Sequence, residues 1–334
     1  MKSRTAHLFI VLSFATAALF LFDLTTGAVS IPPGDVWAAL TGGEVPEATA
    51  KIVRSIRLLK AVVAVAAGAA LAVSGLQMQT LFRNPLAGPY VLGISSGASL
   101  GVALFILGAP LLGAAGHGAM TSLGIAGAAW AGSAAVLAVI AAVSRRIRDI
   151  MVMLILGMMF SSGVGAVVQI LQYLSREEAL KSFVIWTMGS LGDVTGGQLA
   201  LLLPAVGMGL ALAVAVIKPL NLLLLGEQYA RTMGLDIRRS RQLIFLSTTL
   251  LAGTVTAFCG PIGFVGLAVP HVARMLFGNA DHRVLMPGAA LVGACVLLGC
   301  DIVSKLLTLP VNTITALVGI PIVVWVVVRN QSIA

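Results

Sequence analysis

Gly93-Ile94-Ser95-Ser96-Gly97 reads G-x-S-x-G, the spacing that holds a nucleophilic serine on a sharp turn in serine hydrolases. Such a serine needs a base beside it, and the candidates are His117 and His271. A glycine-rich packing segment accounts for the same residues without chemistry. Gly93, Gly97 and Gly101 are four apart, share one helix face and let backbones approach closely. An intramembrane serine enzyme is the remoter alternative. The sequence holds no G-x-x-x-x-G-K-[ST] phosphate loop, no H-E-x-x-H and no paired C-x-x-C, so neither ATP nor a metal is expected on this chain. If ATP drives the protein, a partner binds it. Cys259, Cys295 and Cys300 lie in apolar stretches and read as packing residues.

Between Lys218 and Arg241, Gly226 and Gly234 bracket the run Glu227 to Met233. The spacing predicts a short helix with Glu227 and Arg231 at i,i+4, stopped by Gly234. Asp236 is placed to cap a second short piece carrying Arg238, Arg239 and Arg241. Two stubby helices would give another protein a rigid handle. Elsewhere Arg54, Arg57 and Lys60 precede an apolar run, and Lys305 stands four residues after Asp301. Such cations suit an acidic partner, and suit lipid headgroups or local acids equally.

The elements that must position these residues are membrane helices. Of 334 residues, 59% are hydrophobic and 10% charged, against roughly 25% charged in ordinary globular chains. Mean hydropathy is +1.04. A soluble protein is excluded, and the formal net charge of +9 is scattered in short runs between apolar segments, a pattern of topology rather than nucleic-acid binding. A first apolar run from Leu8 to about Ala28 reads as a retained helix. The stretch from Ile31 to Lys60, rich in proline and glycine, reads as an extramembrane loop. Further spans are expected at about 61–81, 89–110, 121–143, 150–174, 196–217, 242–261, 262–277, 285–307 and 313–329, ten in all, forming one all-α transmembrane domain over residues 1–334. With both termini on one side, that side collects fourteen basic residues, from Lys2 and Arg4 through Arg145, Arg146 and Arg148 to Arg329, against four acids. The positive-inside rule makes it cytoplasmic.

From Gly88 to Ser144 there is no Asp, Glu, Lys or Arg, and the centres of the other spans are equally free of them. An ion-coupled secondary transporter, the nearer alternative, keeps ionisable groups at the midplane to hold its coupling ion. Energy is therefore expected from outside the bilayer. Neutral groups such as Gln77, Gln79, Ser161, Ser162, Gln169 and Gln172 are expected to line the path.

Four segments carry a resemblance: GAALAVSGLQMQTLFRNPLAGPYVLGISSGASLG (68–101), GEQYARTMGL (226–235), GPIGFVGLAVPHVARMLFGNADHR (260–283) and TALVGIPIVVWVVVR (315–329). In this order they resemble the permease family of type II ABC importers for ferric siderophores, haem and cobalamin, from about Arg57 to Trp325. The resemblance implies a type II importer permease fold of ten spans in the bacterial inner membrane, with both termini cytoplasmic. It implies a second copy of the chain with the path between copies, two ATPase subunits holding ATP and Mg, and a periplasmic substrate-binding protein. The coupling segment, about 218–241, would seat in the ATPase through Gly226, Glu227, Ala230, Arg231, Gly234 and Leu235. Asn84 and Leu86 in the FRNPLAGP turn, with Ile150 and Met151, would form the cytoplasmic gate. Arg57, Lys60 and Lys305, with Arg54 beside them, match the family's docking positions for the binding protein. Here the sequence departs from the family's R-x-P-R: Leu59 replaces proline, and lysine stands at 60 and 305, where it lacks arginine's bidentate fork.

Overall fold

A computed structural model describes residues 2–108, 122–143, 146–147 and 149–331. His117, Arg145 and Arg148 lie outside the described residues. Every regular element among those described is helical. In chain order they are α1 (Lys2–Thr25), α2 (Pro33–Thr41), α3 (Glu47–Ile52), a π-helical turn (Val53–Arg57), α4 (Leu58–Leu81), α5 (Ile94–Ala103), a second π-helical turn (Leu104–Gly108), α6 (Ser122–Val143), α7 (Ile150–Leu174), α8 (Glu177–Thr187), α9 (Gly196–Ala215), α10 (Ile217–Leu224), α11 (Glu227–Thr232), α12 (Ile237–Cys259), α13 (Val265–Phe277), α14 (His282–Leu307) and α15 (Val311–Gln331).

Seven helical stretches among the described residues are long and apolar enough to cross a membrane, and three more apolar helices, at 94–108, 265–277 and 311–326, are shorter. At about 1.5 Å per residue the 13 residues of α13 span about 20 Å, less than a hydrocarbon core of about 30 Å. The expected loop from Ile31 to Lys60 is a correction. It contains α2, and α3 runs through the π turn into α4 as one helix from Glu47 to Leu81. The reason is the placement of the prolines. Pro33 sits in the first turn of α2 and Pro46 is the N-cap of α3, positions where the missing N–H has no helical partner to lose.

The centre of the molecule is α4, whose residues from Gly68 onward are nearly all buried, with α12, α13 and α14 around it. Bare backbone makes these contacts. A Cβ on Gly75 would stand 1.6 Å from the carbonyl oxygen of Gly266, and one on Gly68 2.3 Å from that of Gly293. Pro270 has no N–H, so within α13 the Gly266 carbonyl lacks its helical donor and faces Gly75 instead. The glycine face expected on α5 exists in part. Gly97 and Gly101 pack on the backbone of Gly132 and Ala128 in α6, whereas Gly93 precedes the helix, with φ +79°, against Ser161 and Phe160 of α7.

Candidate coupling and translocation site

Lys60 near the start of α4 and Thr80 near its end are separated by about 30 Å of helix, which defines two ends of the molecule. At the Thr80 end, α11 spans the predicted residues, with Gly226 (φ +103°) before it and Gly234 (φ +80°) after it. The Leu235 N–H donates to the Ala230 carbonyl at 3.0 Å and closes the turn, with Ala230 fully buried. Two expectations are corrected. Glu227 pairs with Arg241, not with Arg231, because the turn at 233–236 folds the start of α12 back beside α11. Asp236 does cap a helix, accepting from the Arg239 N–H at 3.0 Å, but that helix is α12 itself and not a second stub. Leu225, Tyr229, Arg231 and Met233 are left exposed on the handle.

The FRNPLAGP turn follows α4 directly. Arg83 takes φ +48°, and the Asn84 side chain accepts from the Leu86 N–H at 2.8 Å, which braces the turn and holds Leu86 outward, 46% exposed. Asp149 caps α7 by accepting from the Met151 N–H at 2.8 Å, and Met151 is likewise exposed. Each pair of gate candidates thus presents one exposed apolar side chain, Leu86 or Met151, while Ile150 is half-buried against the core. Of the residues expected to line a path, Gln77 and Gln79 are corrected. Gln77 is buried between Ser247 and Thr248, and Gln79 donates to the Leu267 carbonyl and accepts from Arg274. Both satisfy interior polar groups, as burial without water requires.

Of the expected path residues on α7, Ser162 and Gln169 lie on an open face. Met151, Ile155, Met159, Ser162, Gln169 and Tyr173 fall at helical spacing on one stripe, with Tyr173 90% exposed, while Val164 and Val168 on the other side are buried. The stripe carries hydroxyl, amide and thioether groups and no charge.

At the Lys60 end, three of the four docking candidates turn inward. Arg57 is buried, donating to the carbonyls of Leu24 and Thr25 at 2.9 Å and to that of Val29. A Cβ on Gly27 would come within 2.9 Å of this guanidinium. Lys60 and Lys305 each lie 3.0 Å from a different oxygen of the fully buried Asp301, at ion-pair distance without hydrogen-bond alignment, and Lys305 also reaches Asp23 at 2.8 Å. Only Arg54 is exposed, its Nε donating to the Ala39 carbonyl at 2.5 Å. Of the two candidate bases for the serine motif, His271 has its Nε2 bonded to the Pro85 carbonyl at 2.8 Å, and His117 lies outside the described residues.

The whole chain has known counterparts. It is 39% identical over 327 residues to the hemin transport system permease protein of Yersinia pestis, covering 94% of this chain and 93% of that one. It is 34% identical over 316 residues to the vitamin B12 import system permease protein of Klebsiella pneumoniae, covering 93% and 90%. A solved structure described as an inward-facing metal-chelate type ABC transporter superposes with a TM-score of 0.83 at 30% identity, covering 97% of this chain and 99% of the other. The FecCD transport family model matches residues 15–329, and the chain belongs to that family.

Proposed function

We propose that this chain is the membrane-spanning subunit of an ATP-driven importer that carries a metal chelate (haem, cobalamin or a ferric siderophore) across the bacterial inner membrane. Family membership supports the transport role, and the names of the relatives supply the cargo class. The observation that carries the path is the open, uncharged stripe of α7. Two copies facing each other across it would enclose a corridor whose walls touch a bulky chelate weakly, so that affinity resides in a binding protein and release is not slowed.

On this reading the three shorter apolar helices complete ten spans, with both termini in the cytoplasm and the handle at 226–235 on the same side, seated in one of two ATPase subunits that hold ATP and Mg. Leu225, Tyr229 and Met233 suit that role because exposed apolar side chains outside the bilayer mark a protein contact. Leu86 and Met151 close the cytoplasmic end. At the other end Arg54 meets the binding protein directly, and Arg57, Lys60 and Lys305 shape the rim behind it.

The test is uptake into proteoliposomes holding this chain and its ATPase, with the binding protein outside and ATP inside, offering cobalamin, haem and a ferric siderophore separately. Strict ATP-dependent accumulation of one of them is expected. Uptake that persists without the ATPase and collapses with the proton gradient would overturn the reading in favour of a secondary transporter.

A further inference from the structure

The Thr80 end holds a run of hydrogen bonds, buried at Thr80 and partly buried elsewhere, that together with chain neighbours leads from α10 beside the handle to the gate turn. In α10, directly before the handle, Asn221 Oδ1 accepts from the backbone N–H of His282 at 2.9 Å and from its Nδ1–H at 2.8 Å, and Asn221 Nδ2 donates to Asp281. That assignment leaves His282 Nε2 as an acceptor, and the Thr80 hydroxyl lies 2.9 Å from it. The same hydroxyl lies 2.9 Å from the Leu76 carbonyl. One proton thus has two acceptors in reach, so the Thr80 hydroxyl has two orientations.

The next residue, Gln79, is clamped on α13 by its bonds to Leu267 and Arg274. One turn before Arg274 on α13, His271 Nε2–H donates to the Pro85 carbonyl inside the turn itself. A carbonyl can only accept, so this bond fixes the His271 tautomer. The turn also approaches the handle directly: Arg83 Nη1 lies 3.6 Å from where a Cβ on Gly226 would stand.

Resting on the reading of the chain as an ATP-driven permease, we propose that Asn221, His282, Thr80, Gln79, Arg274 and His271 are positioning residues that make the 83–87 turn follow the handle. A displacement of α10 by the ATPase changes what Asn221 offers His282, and with it which acceptor Thr80 serves. The last turn of α4, beyond the Gly75 contact, then shifts and draws on α13 through the Gln79 bonds, and α13 holds Pro85. The turn is moved by its carbonyl, and Asn84 and Leu86 travel with it.

The test uses the full chain assembled with its ATPase, with Cys259, Cys295 and Cys300 replaced by alanine and Leu86→Cys added as the reporter. The rate at which a membrane-impermeant maleimide labels Cys at 86 is compared with and without ATP, and ATP hydrolysis is recorded in parallel. In the otherwise unaltered assembly ATP is expected to change the labelling rate. In His271→Leu and in Thr80→Val that ATP-dependent change is expected to shrink about fivefold or more while hydrolysis continues, an uncoupling that mere loss of fold does not produce. His271→Gln, whose amide can donate to Pro85, is expected to restore most of it. Thr80→Val keeps the side chain's shape and carries the test if His271→Leu does not assemble. A full ATP response in Thr80→Val or in assembled His271→Leu would overturn the relay. A labelling rate indifferent to ATP in the unaltered assembly, without hydrolysis, would instead overturn the ATP-driven reading beneath it.

Discussion

The guanidinium of Arg241, in the second turn of α12, closes on the carboxylate of Glu227 at the start of α11, so the handle and a long apolar helix share one ion pair. Glu227→Arg sets two cations against each other there. We expect ATPase binding about tenfold weaker in a pull-down titration, with partial recovery in the Glu227→Arg, Arg241→Glu double variant. Unaltered ATPase affinity in the single variant would remove α11 from the coupling role.

The Gly75 contact admits no methyl group. Gly75→Ala is expected to cost at least about 3 kcal/mol or to abolish folding, read as thermal unfolding in detergent. Gly207→Ala in α9, where a Cβ meets nothing within 4 Å, is expected to leave the midpoint unchanged or slightly raised. Equal midpoints for both variants would contradict the backbone contact.

Because the lysines at the Lys60 end are already paired, the exposed arginine there should dominate docking. Arg54→Glu is expected to weaken binding-protein affinity about two- to tenfold at low salt, and less as ionic strength rises. Asp301→Asn is expected to act on stability, since it strips a partner from Lys60 and Lys305 together. Affinity indifferent to Arg54→Glu would move the docking face elsewhere.

Asp281 caps α14, and the Arg283 backbone N–H, followed by the Asn221 amide, holds its carboxyl below the usual carboxylate range. A depressed pKa contributes stability above the group's unfolded value, and that contribution is lost as pH falls through the folded one. Asp281→Asn should therefore lower the unfolding midpoint at neutral pH, with the gap to the unaltered protein narrowing under strong acid. A gap independent of pH would show that the ionised form contributes nothing.

The α7 stripe predicts a period in chemical access. In the cysteine-replaced chain, Gln169→Cys and Tyr173→Cys should react with a water-soluble maleimide, and Val164→Cys and Val168→Cys should be at least about tenfold slower. Equal rates at all four positions would mean that the stripe faces no aqueous path.

What could be read from sequence was whatever neighbours in the chain decide. The apolar runs, the bounds of α11 between two glycines and the Asp236 cap depend on residues a few positions apart, and they stand where propensity puts them. The partners of charges were not legible. Lys305 finds Asp23 across 282 positions and Lys60 finds Asp301 on another helix, so cations that suited an acidic partner in the sequence are neutralised in the fold. Gln77 and Gln79 misled for the same reason: a neutral amide in an apolar helix suits a path or an interior bond equally, and only Ser247, Thr248, Leu267 and Arg274 decide between them. Proline and glycine between 31 and 60 read as breakers by composition, yet Pro33 and Pro46 stand where they begin helices.

Where α4 meets α13 and α14, carbonyl lies on glycine Cα with no side chain between to act as a bearing. Sliding either neighbour along α4 would push the Cβ of Ala67, Ala72 or Ser74 into the backbone now seated on Gly68 and Gly75, so the joint resists shear as a keyed shaft does. Between Gly68 and Gly75 the three helices travel as one rigid plank, and the last turn of α4 lies beyond the joint. Any alternation of access has to be taken up by elements outside it, among them α7, whose stripe is uncovered while its other side is seated through Gly157 on the backbone of Val91 and Leu92.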